Sequence, residues 1–278
     1  VNSTSLFQDR VIYTSSQINL SKEDIDFVKE VLNSFETPIK SPKNISLISL
    51  NDNYDSYKFE YKNQSLCLKI SLDPECEYLQ KEALNLKKIN AYISPIFIQS
   101  EKIKIGDELY CLLTTFENAE SIYSLGSGVF YEKFDNFCHA YSLLQKSKNI
   151  KFNYKNHIND FLKNNNLSLF PEDSIEAIKS YSDLNKIEKI FKNIKNDIKN
   201  INKINLNERK FICHGNLNGK NILYRDGAFK FINFGESYSS HYFLDLADLV
   251  INLSLDQKSE IYIYNQFCKN FNLNTNEN

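Results

Sequence analysis

Residues 211–249, FICHGNLNGKNILYRDGAFKFINFGESYSSHYFLDLADL, alternate short apolar runs with polar loops. Phe211-Ile212-Cys213 leads into His214-Gly215-Asn216. Ile222-Leu223-Tyr224 and Phe229-Lys230-Phe231-Ile232 flank Arg225-Asp226-Gly227. Asp-Gly between apolar runs is a strong short-range hairpin signal. Asn233-Phe234-Gly235 follows the second strand, and Asp245-Leu246-Ala247 opens an apolar helix. Polar loop residues beside short buried strands are where chemistry concentrates.

This arrangement resembles the catalytic core of the aminoglycoside phosphotransferase and choline kinase family. There the loop reads H-G-D-x-x-x-x-N, the hairpin ends in D-x-(G/D/E), and a D-(L/I)-A follows. His214, Gly215, Asn221, Gly235 and Asp245 match. Asn216 stands at the catalytic aspartate's place and Asn233 at the metal-binding aspartate's. The resemblance implies an α+β, two-lobed, protein-kinase-like fold. An N-terminal antiparallel sheet lobe would bind the nucleotide, and a mainly helical C-terminal lobe would carry the catalytic-type loop.

Working outward, the upstream residues fall in the family's order. Residues 1–43 read as an arm and a helix. Ser21-Lys22-Glu23-Asp24 is close to a capping box, with Ile25, Val28, Val31, Leu32 and Phe35 at helical spacing before Pro38 and Pro42. Residues 44–117 read as the sheet lobe: ISLISL, YKFEY and LCLKI, with Asn63-Gln64 at the turn between the last two. Ile93–Phe97, Ile103–Ile105 and Leu109–Thr115 are expected as further strands. By resemblance, Lys69 binds phosphates and pairs with Glu82 on the following helix. Thr115, Phe116 and Glu117 fall on the linker whose backbone would meet the adenine edge. The plainer reading makes Lys69 a strand-edge lysine, Glu82 a solvated helix residue and the linker an ordinary connector. The first turn, Asn51 to Ser56, has no glycine, which hinders close approach of phosphate. Asp52 and Asp55 there would repel it.

Residues 118–278 are expected as the helical lobe. A helix should run from Tyr131 with Phe134, Phe137, Cys138, Tyr141, Leu143 and Leu144 on one broad face. Its His139 reads as structural. Further helices are expected at 153–166, 171–181, 184–204, 246–255 and 259–271.

Composition sets the outer bounds. The chain has 278 residues, 42% hydrophobic and 24% charged, as expected for a globular protein with a sizeable core. A net charge of -2 argues against a nucleic-acid partner or an acidic membrane surface. No apolar run approaches membrane-spanning length, and VNSTSLFQDRVIYTSS lacks a signal peptide's layout, so a cytoplasmic protein is expected. The six cysteines show no paired spacing and read as buried small hydrophobes.

The chemistry turns on the two amides. Asn216 can accept a hydrogen bond but cannot take a proton at neutral pH. Asn221 and Asn233 offer magnesium only neutral oxygens, whereas carboxylates normally hold that ion. Glu236 is a candidate substitute ligand, against the plainer reading of a loop-surface glutamate. By resemblance, Asp245 and His214 brace the loop. Three functions follow as alternatives. The first is a catalytically impaired, pseudokinase-like protein that binds a nucleotide or small ligand in the inter-lobe cleft, with or without metal, and acts by binding or regulation, a protein being a candidate partner. The second is an active phosphotransferase using ATP and Mg2+ on an aminoglycoside, choline or sugar hydroxyl. The third is a scaffold that binds no nucleotide.

Overall fold

In the computed structural model, which describes residues 20–50, 53–147, 211–240, 243–253 and 257–273, Ser21 caps the first helix, α1 (Lys22–Ser34). Its hydroxyl accepts from the Asp24 N–H, and the Asp24 carboxylate accepts from the Ser21 N–H, closing the capping box. Val28, Val31 and Leu32 form the buried stripe. The helix stops at Ser34, ahead of both prolines.

Five strands follow: β1 (Lys43–Leu50), β2 (Asp55–Tyr61), β3 (Gln64–Ser71), β4 (Phe97–Ile105) and β5 (Asp107–Thr115). They form one antiparallel sheet in the order β1-β2-β3-β5-β4. Period-two alternation gives the sheet two apolar faces. On β5, Leu109, Cys111 and Leu113 pack with α1, while Tyr110 and Leu112 pack with α2 (Glu77–Leu86) on the other face.

Two local readings need correction. The β2–β3 turn is Lys62-Asn63, both at positive φ, and Gln64 already belongs to β3. Primed turns match the twist of paired strands, which fixes this register. Residues Ile93 to Ile96 are not a strand. Ile93 closes a turn by donating its N–H to the Asn90 carbonyl, and its own carbonyl accepts from Phe231 N–H at 2.7 Å. The expected pair of strands is the single β4, starting at Phe97.

Beyond the linker come β6 (Glu120–Ser121), α3 (Ile122–Leu125), α4 (Ser127–Glu132) and α5 (Phe134–Leu144). The single helix expected from Tyr131 is broken at Lys133, whose φ of -109° and ψ of 23° leave the helical region. His139 is exposed. The helices expected at 153–166, 171–181 and 184–204 lie outside the described residues, as do residues 1–19 and Asn51-Asp52 of the first turn.

The opening stretch forms β7 (Phe211–Cys213), β8 (Ile222–Arg225), β9 (Ala228–Phe231), a 3-10 turn (Phe234–Glu236) and β10 (Tyr238–Ser240). Asp226 and Gly227, both at positive φ, make the two-residue hairpin loop. Two helices, α6 (Phe243–Leu253) and α7 (Gln257–Phe271), close the lobe. Its core is aromatic: Phe130, Phe134, Phe137 and Tyr141 meet Phe229, Phe231, Phe267 and Phe271 largely edge to face. The fold is α+β, a sheet lobe joined to a mainly helical one. All six cysteines are free, and five are buried. Among the described residues, no helix is long and apolar enough to cross a membrane.

Candidate functional site

The loop after β7 is held from behind by α6. Buried Asp245 accepts from the N–H groups of His214 (2.6 Å) and Gly215 (3.0 Å) and from the Tyr141 hydroxyl (2.9 Å). Burial pushes its carboxyl up to about 6, against the pull of the Gly215, His214 and Tyr141 donors. One turn on, Asp248 accepts from Leu217 N–H at 3.0 Å. Gly215 sits at φ +83° with the Glu236 carbonyl where a Cβ would project, so only glycine fits there.

His214 is wholly buried. Its Nδ1 accepts from Asn216 N–H at 3.3 Å, so Nε2 carries the proton and donates to the Ile232 carbonyl at 2.8 Å. Burial lowers its pKa to about 4 despite those backbone contacts. Both ring nitrogens are engaged and the ring is neutral, so His214 ties the loop to the Ile232 carbonyl at the end of the hairpin.

In front of the loop lies a cavity of about 520 Å³ between the two lobes. Every expected ligand-facing position lines it: Lys69 and Glu82, Thr115 to Glu117 on the linker, and Asn216, Asn221, Asn233 and Glu236. His214 and Asp245 lie behind it. Lys69 donates to both Glu82 oxygens, at 2.8 and 2.7 Å, so the expected pair forms and is buried. Burial alone would lower the Lys69 pKa, but the Glu82 charge outweighs it and the net shift is upward.

The sequence alone attracts no comparison: no protein-family model and no curated protein matches it. Solved structures do match. A mutant aminoglycoside phosphotransferase APH(4)-Ia, in ternary complex with AMP-PNP and hygromycin B, aligns over 87% of this chain and 83% of its own. The TM-score is 0.60 at 9% identity. The choline kinase LicA from Streptococcus pneumoniae aligns over 89% of this chain and 79% of its own, with TM-score 0.59 and 16% identity. The amicoumacin kinase hAmiN, in complex with AMP-PNP, Ca2+ and Ami, gives 91% and 78%, TM-score 0.58 and 10% identity. The protein has the aminoglycoside phosphotransferase and choline kinase fold.

Within that fold, the two asparagines do more than remove charge. Lys69 Nζ donates its remaining hydrogen bond to Asn233 Oδ1 at 2.7 Å. Lysine can only donate, so this end of the Asn233 amide is its oxygen. Asn233 Nδ2 therefore donates to Asn221 Oδ1 at 2.7 Å, and Asn221 Nδ2 donates to the Asn216 carbonyl at 2.8 Å. An obligate donor at one end and an obligate acceptor at the other fix every amide in this chain. Asn233 itself sits in the left-handed region, φ 65° and ψ 59°, which asparagine tolerates.

This arrangement does not fit magnesium. The ion needs oxygens converging on it, preferably anionic ones. Here the Asn233 oxygen is taken by an ammonium, and the Asn221 oxygen faces an N–H. Among the described residues, no group of three His, Cys, Asp or Glu converges to hold a metal. Glu236 lines the cavity from an exposed position.

Two tyrosines complete the site without having been legible in the sequence. Tyr54, from the glycine-free turn, is buried and lies over Lys69 with its ring centroid 4.9 Å from Nζ. It stacks on Tyr78 at 5.5 Å. Tyr78 donates its hydroxyl to the Asn233 carbonyl at 3.1 Å, and Gly235 leaves room for its ring. Burial pushes both phenols up. An aromatic residue at a turn carries no sequence mark for such a role; glycine's absence at 51–56 was the available hint. Buried Asn85, which donates to the Phe234 carbonyl at 2.8 Å, was also missed.

On the linker, Phe116 N–H is spent on the Ser65 carbonyl and Glu117 O on Ala119 N–H. The Glu117 carboxylate pairs with Lys230 at 2.7 Å. Ile48, Leu223 and Ile232 give the neighbouring cavity wall an apolar character suited to a flat ring.

Proposed function

We propose that this phosphotransferase-like protein is catalytically impaired, and that it binds a nucleotide or comparable small ligand in the inter-lobe cleft without a metal ion. The observation that carries the reading is the amide chain from Lys69 through Asn233 and Asn221 to the Asn216 carbonyl. Lys69, Asn233 and Asn221, the groups that the resemblance would set on a cation and its phosphates, already engage one another within the protein. Phosphoryl transfer depends on positioning, on neutralising charge, and on steering the acceptor proton. Asn216 cannot take that proton, and general-base help is typically worth ~10²–10⁴-fold in rate. The residues that shape the loop, His214, Gly215 and Asp245, are the ones retained, so selection on shape outlasting selection on turnover accounts for the pattern. The sheet lobe of residues 44–117 would hold the ring of the ligand and the lobe of residues 118–278 its polar end. A protein partner would then read the liganded state, in the cytoplasm.

One observation favours a second reading. Tyr54 over Lys69 covers the cation that would meet a triphosphate, as a scaffold taking no nucleotide would allow. The active alternative, an ATP and Mg2+ enzyme acting on an aminoglycoside, choline or sugar hydroxyl, would need Glu236 to swing onto the ion.

Thermal-shift titrations with ATP and ADP, in EDTA and in magnesium, separate the three. Stabilisation in EDTA that magnesium does not improve supports the proposal. No shift in either condition supports the scaffold. A magnesium-dependent shift together with phosphate transfer to any acceptor would overturn impairment. Restoring both carboxylates (Asn216→Asp with Asn233→Asp) should raise ATP turnover if the rest of the fold is competent.

A further inference from the structure

The catalytic-type loop presents hydrogen-bond donors and one cation to the cavity, and no carboxylate. Asn218 Oδ1 accepts from the backbone N–H groups of Lys220 (2.9 Å) and Asn221 (3.3 Å). Those obligate donors fix Asn218, so its Nδ2 is the group that donates to Asn216 Oδ1. The oxygen end of the Asn216 amide is thereby engaged by Asn218, and its NH2 is the other end. Among the described residues no hydrogen bond engages that NH2, and Asn216 lines the cavity. At the place where a kinase needs an acceptor for the substrate's proton, this protein offers a donor pair.

Lys220 lines the same cavity from an exposed position. Among the described residues no carboxylate pairs with it, and its ammonium rests 5.2 Å from the Tyr123 ring centroid. A cation–aromatic contact at an exposed site is weak and yields to an anion. Lys69 is the opposite case. Its three donor positions are filled by Glu82 and Asn233, and Tyr54 lies over it. The cation available to a ligand is on the loop.

We propose that Asn216 Nδ2 and the Lys220 ammonium form a metal-free anion subsite that takes the phosphate group of a nucleotide or other phosphorylated small molecule. An aspartate at position 216 would repel such a group; the amide donates to it. Charge-assisted hydrogen bonds from an ammonium and an amide to phosphate oxygens give the anchoring that magnesium gives elsewhere. The inference rests on the metal-free cleft-binding reading above and goes past it by naming the group bound and its contacts.

Calorimetric titration of the full chain in EDTA with adenosine, ADP and inorganic pyrophosphate tests it. ADP should bind roughly tenfold more tightly than adenosine, the loss expected when one charged hydrogen-bonding partner is missing. Lys220→Gln should bring ADP to the adenosine level without moving the melting temperature of the ligand-free protein, since the side chain is exposed. Asn216→Asp should weaken ADP and pyrophosphate while leaving adenosine unchanged. Equal affinity of the wild type for adenosine and ADP would overturn the subsite and leave the cleft-binding reading standing. An ADP preference that survives Lys220→Gln would place the anion elsewhere. An ADP preference that appears only with magnesium, or no binding by any of the three, would overturn both.

Discussion

Asn233→Asp tests the central geometric claim, that an amide N–H stands where a cation would bridge two oxygens. Asn233 Nδ2 lies 2.7 Å from Asn221 Oδ1. A carboxylate in the same rotamer sets oxygen against oxygen, removing one hydrogen bond and leaving a part-buried acceptor facing another acceptor. That costs about 1–3 kcal/mol. Some is returned by the Lys69 ammonium, 2.7 Å from the other oxygen. The return is small, because Glu82 already balances that charge and a second carboxylate must be desolvated. A net loss of about 2 kcal/mol lowers the melting temperature by roughly 4–8 °C for a domain of this size. Magnesium should then distinguish the two proteins. At ten times its Kd it would return about 1.4 kcal/mol to the variant, and nothing to the wild type, by mass action on the folded state. Differential scanning fluorimetry in EDTA and across a magnesium series reads both effects. Equal stability of the two proteins in EDTA, or equal stabilisation of both by magnesium, would refute the assignment of Asn233.

Three further outcomes follow from the same contacts. His214 has a folded pKa of about 4 against 6.5 unfolded, so its contribution to stability grows as pH rises through that window. Asp245, about 6 folded against 3.8 unfolded, contributes the opposite slope, its share being lost as pH rises from about 4 to 6. Asp245→Asn removes only the falling share, so its stability deficit relative to wild type, measured by urea denaturation, should shrink as pH rises from 4 to 6, by at most about 1.4 kcal/mol per pH unit. A deficit that widens would contradict the shifted Asp245. Gly235→Ala sets a Cβ 2.6–2.7 Å from the Tyr78 ring and should cost about 1–3 kcal/mol, whereas Gly215→Ala meets the Glu236 backbone at positive φ and should cost more; urea midpoints rank them. Ser21→Ala opens the capping box of α1 and should cost about 1 kcal/mol in the same assay.

The residues that could be placed from sequence are those whose role is imposed by the backbone or by charge. Asp226-Gly227 named its hairpin because Asp-Gly readily accepts two positive φ angles in succession, whereas Lys62-Asn63, which also adopts positive φ at both positions, carries a weaker mark. Asp245 could be placed behind the loop through the family resemblance, and its carboxylate there satisfies two backbone N–H groups at once. Lys69 and Glu82 sit 13 residues apart in sequence and were linked through the motif order, not through periodicity. Tyr54 and Tyr78 were not legible, because a buried aromatic over an ammonium has no fixed spacing. Ile93 to Ile96 misled for a related reason. A short apolar run fits a strand, a buried turn or a helix equally, and here the turn docks on Phe231 of the other lobe. The orientation of Asn216 depends on Asn218, two residues on, whose own amide is fixed by backbone donors that no sequence pattern displays.

The amide chain also changes what holds the lobes together. Lys69 belongs to the sheet lobe; Asn233, Asn221 and Asn216 belong to the loop and hairpin of the helical lobe. The hydrogen bond from Lys69 to Asn233 therefore crosses the cleft, beside those from Tyr78 to the Asn233 carbonyl and from Asn85 to the Phe234 carbonyl. Two carboxylates at 216 and 233 would leave this junction with excess negative charge until a cation arrived, so closure would be coupled to metal and nucleotide. With two amides the junction is neutral and internally satisfied, and on the proposed reading closure would need neither. On that reading a ligand would enter a cleft already formed, and free energy not used in drawing the lobes together would remain in its affinity. On the proposed reading, loss of turnover and a preformed, metal-independent binding cleft would be the same pair of amides seen from two sides.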